Sequence, residues 1–562
     1  MVPTGELKEG VYMREMTLTQ LEVSGIQDYI FGSNNLKQNI GASELVTQVT
    51  TDWVIEILNE LGIEHNAIWD EAEQAWRLST WSEDFPAAQV IYWGGGNALI
   101  LFAGPPPERA IPFAKALTRT AVKKARGLSL IVGHERLDWD SDAVASVHKQ
   151  VRRRIAERKL NRRQSVPLPG LGVTANCVFT GLPAVGLDED NSLIAQSVQH
   201  KYQATESGKG RVQRLLQTVS GGFSFTDDFN LMGERGESSY IAVIHADGNG
   251  MGKRFGAIAD AHPSATDNDN YCCQLRRFSE AVQDKATSAL RAMVQLLVNS
   301  VDPKNGKFGG AVPFPVDHHG KRVLPFRPIV FGGDDVTFVS EGRLGLFLAA
   351  YYLRHLGEGA PLPGKADGEA GEPFYARAGV AIVKSHYPFS RAYELADALC
   401  SSAKKKLPTL TPQGAGIALD WHYATSGVIL SLGKLREREY RSYTGHSLLM
   451  RPVRLDVTAP PTGSKYWRSW DNFAGVTRQF QENSDWYKHR NKIKALREPL
   501  RQGGEAVRLF RKNYGLPELP KISGQSMTET GWHSEDCGYF DAIEAMDFFV
   551  DLQPKSKQEN VL

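Results

Sequence analysis

Apolar and polar residues alternate through TLTQLEV (17–23), and a glycine turn, SGIQDYIFG, follows. A period of two predicts a strand. LVTQVTTDWVIEILNELG (45–62) carries apolar residues at helical spacing and predicts one long amphipathic helix. Two strand-like runs, AAQVIYW and ALILFAG, are joined by GGGN (94–97); a helix near 109–126 and a strand, LSLIVG, follow. From residue 239 the order returns: the strand of SYIAVIHADGNGMGKRFG, a helix over 274–300, a hairpin RPIVF-GGDD-VTFVS, the helix LGLFLAAYYLRHLG, a Gly/Pro-rich loop, the strand YARAGVAIV and the helix SRAYELADALCSSAKKKL. The repeated order predicts an internal duplication, with GGGN in the place of GGDD.

Each copy reads as a βαββαβ unit. The fold class expected is α+β: two ferredoxin-like (cyclase or polymerase palm) domains, an intervening small domain and a helical C-terminal domain. The boundaries expected are 1–148 for the first, non-catalytic palm, 149–235 for an intervening helical or degenerate zinc-ribbon-like domain, 236–462 for the second, catalytic palm and 463–562 for the helical C-terminal domain. The region of about 150–230 has little periodic pattern, and the last hundred residues read as mainly helical, ending in a polar tail.

Composition narrows the setting. Hydrophobic content of 41% and charged content of 23% over 562 residues are those of an ordinary globular protein. No apolar run is long enough to span a bilayer, and MVPTGELKEGVYMRE lacks a signal-peptide core. Five cysteines without a CxxC pair argue against a disulfide framework or an intact zinc ribbon. A cytoplasmic location is therefore expected. The net charge of +1 hides two basic runs, 148–163 and 488–502, which read either as solvated helix faces or as surfaces for RNA or an acidic partner.

The second copy carries the chemistry. A palm places the end of its first strand beside the turn of its central hairpin, bringing Asp247 to Asp334 and Asp335. Seen alone, GGDD is also an ordinary hairpin turn. Three converging carboxylates suit Mg²⁺ or Mn²⁺, and two such ions serve in-line phosphoryl transfer. GNGMG (248–252) offers backbone N–H groups to phosphates, Gly332 and Gly333 permit close approach, and AKKKL (403–407) supplies lysines. In the first copy GGGN lacks acids, so that unit is not expected to catalyse: it reads either as a seat for a second nucleotide, through its glycines and Asn97, or as a structural partner.

The quoted motifs VSGIQDYIFGSNNLKQNIGASELV, GGGN, HADGNGMG, GGDD and ADALCSSAKKK occur in the order of one family. In that combination, over roughly residues 17–425, the chain resembles the large polymerase subunit of type III CRISPR effector complexes. GGDD itself is shared more loosely with diguanylate and adenylyl cyclases. The resemblance implies polymerisation of ATP into cyclic oligoadenylates with release of pyrophosphate, triggered by pairing of guide and target RNA inside a complex with other CRISPR subunits. It implies Asp247, Asp334 and Asp335 as catalytic residues, and these three with Gly248 as the ligands of two metal ions. The nucleotide-binding set expected comprises Asn249, Gly250, Gly252 and Lys253 at the turn, and Gly332 and Gly333 at the hairpin. Ser385 and Lys404 join it late in the second copy, and Ser24, Gly25, Gly95, Gly96 and Asn97 in the first.

Two departures stand out. No His-Asp dipeptide occurs, so an HD-type DNase is not expected, and Thr180 stands where a cysteine would partner Cys177, so no zinc is expected. Two other readings remain at this point: a stand-alone cyclic-nucleotide synthase of antiphage defence, possible as a homodimer, and a catalytically idle scaffold.

Overall fold

The alternating segment at the start forms β1 (Glu15–Ser24), which pairs on both sides within a four-stranded antiparallel sheet. The protein is described from a computed structural model, which covers residues 14–81, 86–161, 170–232, 239–317, 320–411, 416–424, 431–455 and 467–552. The polar tail, the first 13 residues and Arg162 and Arg163 of the first basic run lie outside these residues. Among the described residues no helix is long and apolar enough to cross a membrane.

The helix predicted over 45–62 is two helices, α1 (Leu36–Thr50) and α2 (Asp52–Glu60). Thr51 lies between them at φ −125°, ψ −83°, outside the helical region. Asp52, the first residue of α2, is tied to Arg211 at 2.8 Å. The central hairpin, β2 (Ala88–Gly94) and β3 (Asn97–Ala103), leads to α3 (Ala110–Lys124) and β4 (Ser129–Asp138). The strand order β2-β3-β1-β4 is that of a ferredoxin-like unit.

The region read as having little periodicity holds two long helices, α4 (Val144–Leu160) and α5 (Gln196–Leu216). The α5 pattern is hidden because its seam with α1 is built from small residues. A Cβ on Gly41 would lie 1.7 Å from the Lys201 carbonyl, and one on Gly208 3.0 Å from Ile40. Glycine permits the close crossing without supplying an apolar signal. The basic run on α4 is largely paired within the fold: Lys149 with Asp260, Arg153 with Glu157, Arg154 with Glu135 and Lys159 with Glu22. Cys177 is buried against Ile194, Ala195 and Val198.

The second unit repeats the first. It contains β5 (Tyr240–Gly248), α6 (Met251–Ala261), α7 (Asn268–Asn299), β6 (Phe326–Gly332), β7 (Asp335–Glu341), α8 (Gly345–Gly357), β8 (Ala376–Lys384) and α9 (Phe389–Leu410). β9 (Ala418–Ala424) and β10 (Val453–Arg454) extend its sheet to the order β6-β7-β5-β8-β9-β10. Along β5, Ala242, Ile244 and Ala246 pack on the side of α7 and α8, while Ile241 and Val243 pack on the side of α9. That alternation is what a strand buried on both faces requires. Gly379 of β8 admits α9: a Cβ there would fall 2.0 Å from the Ala396 carbonyl. Gly379→Ala should therefore destabilise the protein by about 1–3 kcal/mol, measured as a lowered denaturant midpoint, because the packed backbones have no room to yield.

The two units interlock. A β-bulge falls at Ile91 in the first hairpin and at Ile329 in the second. At the first bulge buried Arg276 of α7 donates to Ile91 O at 3.1 Å and to Val90 O, and it also donates to Ser79 O at 2.5 Å. The C-terminal region is mainly helical and includes α10 (Trp470–Glu482) and α11 (Phe540–Ala545). α11 is fastened by wholly buried Arg451, whose Nη1 lies 3.2 Å from Asp541 and 2.9 Å from Glu544. In the second basic run Lys494 pairs with Asp547 at 2.6 Å, and Arg501 donates to Glu439 O at 3.0 Å.

Candidate active site

Strand register builds the site. Asp247, near the end of β5, pairs with Asp335, which also pairs with Gly332 across the hairpin. The loop between is Gly333–Asp334. Gly333 takes φ +72°, and Asp334 is not left-handed, so glycine fills the one position that demands it. Gly333 N donates to Gln283 Oε1 at 2.8 Å, and Gly248 N donates to Asp334 O at 3.1 Å, holding the tip against the strand end. Carboxylate oxygens of Asp247, Asp334 and Asp335 lie within 4.8 Å of one another.

The electrostatics are unbalanced. Arg377 of β8, opposite Asp247 in register, is buried, and its guanidinium pairs with the Asp247 carboxylate and with Asn249 Oδ1. No other cation is paired with the three carboxylates among the described residues. Burial, then the charges of Asp334 and Asp397, push the Asp335 carboxyl up to about 7, and burial raises Asp334 also. A cluster of hard oxygen donors whose charge Arg377 only partly compensates fits a divalent cation such as Mg²⁺ or Mn²⁺.

The first unit carries the same frame with different side chains. Glu22 pairs with Asn97 as Asp247 pairs with Asp335, and Gly94 pairs with Asn97 as Gly332 pairs with Asp335. Gly25 and Gly250, at the two strand–helix turns, share φ near +70°. Glu22 stands at the register position of Asp247, but it is paired with Lys159. The hairpin tips meet: a Cβ on Gly95 would lie 4.0 Å from the Gly332 carbonyl.

Two clefts open on either side of this meeting point. One, of about 400 Å³, is lined by Asn97, Gly252, Gly332, Gly333, Asp334 and Asp335, together with His148 and Arg152 of α4. The other, of about 940 Å³, is lined by Ser24, Gly25, Gly95, Gly96, Gly332 and Asp335. The residues expected in the two copies are thus brought together around Asp335.

Others are not. Ser385 lies past the far end of β8: Arg377 faces Asp247 but Lys384 faces Tyr240, a separation of about 23 Å. Its backbone N donates to Ser239 O, so its place is structural. The Asn249 side chain is spent as a strut, donating from Nδ2 to Gly416 O at 2.9 Å while Oδ1 accepts from Arg377. Lys253 is exposed in the first turn of α6. Lys404 is exposed on α9 two turns beyond Asp397, on nearly the same helix face. The roles of Glu22, Arg377 and Asp397 escape a reading of motifs. Arg377 leaves a signal as a charge inside the apolar run ARAGVAIV, and Asp397 lies within the quoted ADALCSSAKKK.

No protein-family model and no curated protein matches the chain. Solved structures do. An apo Csm1–Csm4 cassette is similar with a TM-score of 0.49 and 14% identity, covering 96% of this chain and 70% of that one. A Csm1–Csm4 cassette in complex with cA4 has a TM-score of 0.46 and 13% identity, covering 95% and 69%. Csm1 of T. onnurineus has a TM-score of 0.45 and 15% identity, covering 95% and 68%. The likeness is one of fold and adds nothing to the chemistry of the site.

Proposed function

We propose that the protein is a metal-dependent nucleotidyltransferase that polymerises ATP into cyclic oligoadenylates as a subunit of a type III-like CRISPR complex. The observation that carries the reading is the convergence of Asp247, Asp334 and Asp335 at a palm strand end, facing an acid-free hairpin of the same frame. The adenylate product and the RNA trigger come from the motif resemblance.

Asp247, Asp334 and Asp335 would hold the metal, with the Gly248 carbonyl at the same strand end. Two bound ions supply charge for the attacking and leaving oxygens of an in-line displacement. The chain's own residues do the rest. Arg377 fixes the Asp247 carboxylate, and the positive-φ Gly333 presents the two hairpin acids. The first unit, with Glu22 already paired with Lys159, presents an acid-free hairpin to a second nucleotide beside the first. Arg377→Lys keeps the charge but loses the planar fork that spans Asp247 and Asn249, and Mn²⁺ affinity should fall about 10–100-fold in a direct titration.

The test is product analysis with each of four labelled nucleoside triphosphates and Mg²⁺, on the purified chain and on the chain assembled with guide and target RNA. Cyclic products from ATP in the assembled complex support the reading. Product from the chain without RNA moves it to a stand-alone synthase, and no product under either condition overturns it.

A further inference from the structure

Two pairs of residues one helical turn apart face each other across the 400 Å³ cleft. On one wall α6 presents Gly252 and Gly256; on the other α4 presents His148 and Arg152. A Cβ built on either glycine meets no protein atom within 4 Å, so packing does not require glycine there. Glycine inside a helix carries an entropic cost relative to alanine. The bare strip keeps the wall flat where nothing in the protein touches it.

The opposite wall holds unused hydrogen-bond donors. His148 is 6% exposed, and its Nε2 is buried without a partner among the described residues. Its Nδ1 lies 2.8 Å from the hydroxyl of Tyr271, itself 1% exposed. If Nδ1 carried the proton, the tyrosine's own hydrogen would be left buried without an acceptor. With the tyrosine donating, Nδ1 accepts and Nε2 bears the hydrogen, and burial holds the ring neutral, its pKa lowered to about 3. Arg152 follows on the next turn, exposed, with no ion-pair partner among the described residues, while its neighbours Lys149, Arg153 and Arg154 all have one. A neutral N–H and a free guanidinium side by side, across from a bare helix face and beside Asp334 and Asp335, form a site for oxygen anions.

We infer that His148 and Arg152 of α4 bind the polyphosphate of the nucleotide that reacts at Asp334 and Asp335, so that the first half of the chain supplies phosphate contacts to the catalytic palm of the second. The inference rests on the proposed nucleotidyltransferase reading, from which it differs in one respect: it assigns the phosphate contact to α4 in addition to the late-helix lysine. Arg152 acts on the polyphosphate and leaves the nucleoside part untouched.

The experiment compares wild type, Arg152→Ala, Arg152→Lys and His148→Gln for binding of ATP and of adenosine by calorimetry, with Ca²⁺ present to block turnover. Arg152→Ala should weaken ATP binding about 10-fold or more and leave adenosine binding unchanged, with partial recovery in Arg152→Lys. His148 is buried, so His148→Gln is read only after circular dichroism matches wild type; the surface variant Arg152→Ala decides alone otherwise. Equal ATP affinity in wild type and Arg152→Ala overturns this inference and leaves the catalytic reading standing. Absence of ATP binding in wild type overturns both.

Discussion

Asp335→Asn should yield a protein that is more stable without metal and inactive with it. The Asp335 carboxyl is pushed up to about 7 from an ordinary 3.8, by burial first and then by the charges of Asp334 and Asp397. An acid whose folded pKa lies above its unfolded one binds more protons when folded, so stability falls as pH rises through that window. The penalty is complete above about pH 7. Asparagine removes it, and at pH 8 the metal-free variant should gain on the order of 1 kcal/mol, after allowance for the group's partial exposure. At pH 4 the two proteins should unfold alike. Adding Mg²⁺ should stabilise wild type and not the variant, because the cation offsets a charge that asparagine lacks. Thermal unfolding of both proteins at the two pH values, with and without Mg²⁺, checks every part. Destabilisation by asparagine at pH 8 would mean that the carboxylate is held by contacts and does not await a cation.

Asp541→Ala should destabilise the protein by about 3–5 kcal/mol. Arg451 and Asp541 have no exposed side-chain surface, and Asp541 Oδ2 also accepts from the backbone N–H groups of Met450 and Arg451, each at 2.8 Å. Removing the acid leaves a guanidinium in the interior with Glu544 as its remaining carboxylate, beside the rings of Tyr440, Trp421 and Tyr423. It also orphans two backbone donors. The fastening of α11 to the strand edge of the second unit is lost with it. Chemical denaturation should show the loss, and Asp541→Asn, which retains the acceptor, should recover part of it.

The duplication was legible because each palm is written in contiguous pieces. A strand, a glycine turn and a hairpin of fixed length carry their periods in the chain, and GGGN and GGDD fall at equal register positions. What escaped lies across register or across faces. Glu22 becomes the counterpart of Asp247 only once each is paired with its hairpin, and no local pattern aligns TLTQLEVSG with IAVIHADGNG. Arg377 acts on Asp247 through cross-strand pairing, and Asp397 reaches Asp335 from a helix on the opposite face from α7 and α8. Helix was expected in the intervening region, but the pattern of α5 itself is faint because Gly41, Gly208 and Thr205 make its seam where large apolar residues would have announced it. Ser385 was misplaced because closeness in sequence to a catalytic strand says nothing about which end of the strand faces the site.

The measurement that bears most directly on the central claim is pyrophosphate release from ATP by the assembled complex in Mg²⁺, comparing wild type with Asp334→Ala/Asp335→Ala. Loss of both hairpin carboxylates should reduce the rate by at least about a thousandfold, and chelation of the metal should do the same to wild type. Undiminished release by the double variant would contradict the assignment of catalysis to this site.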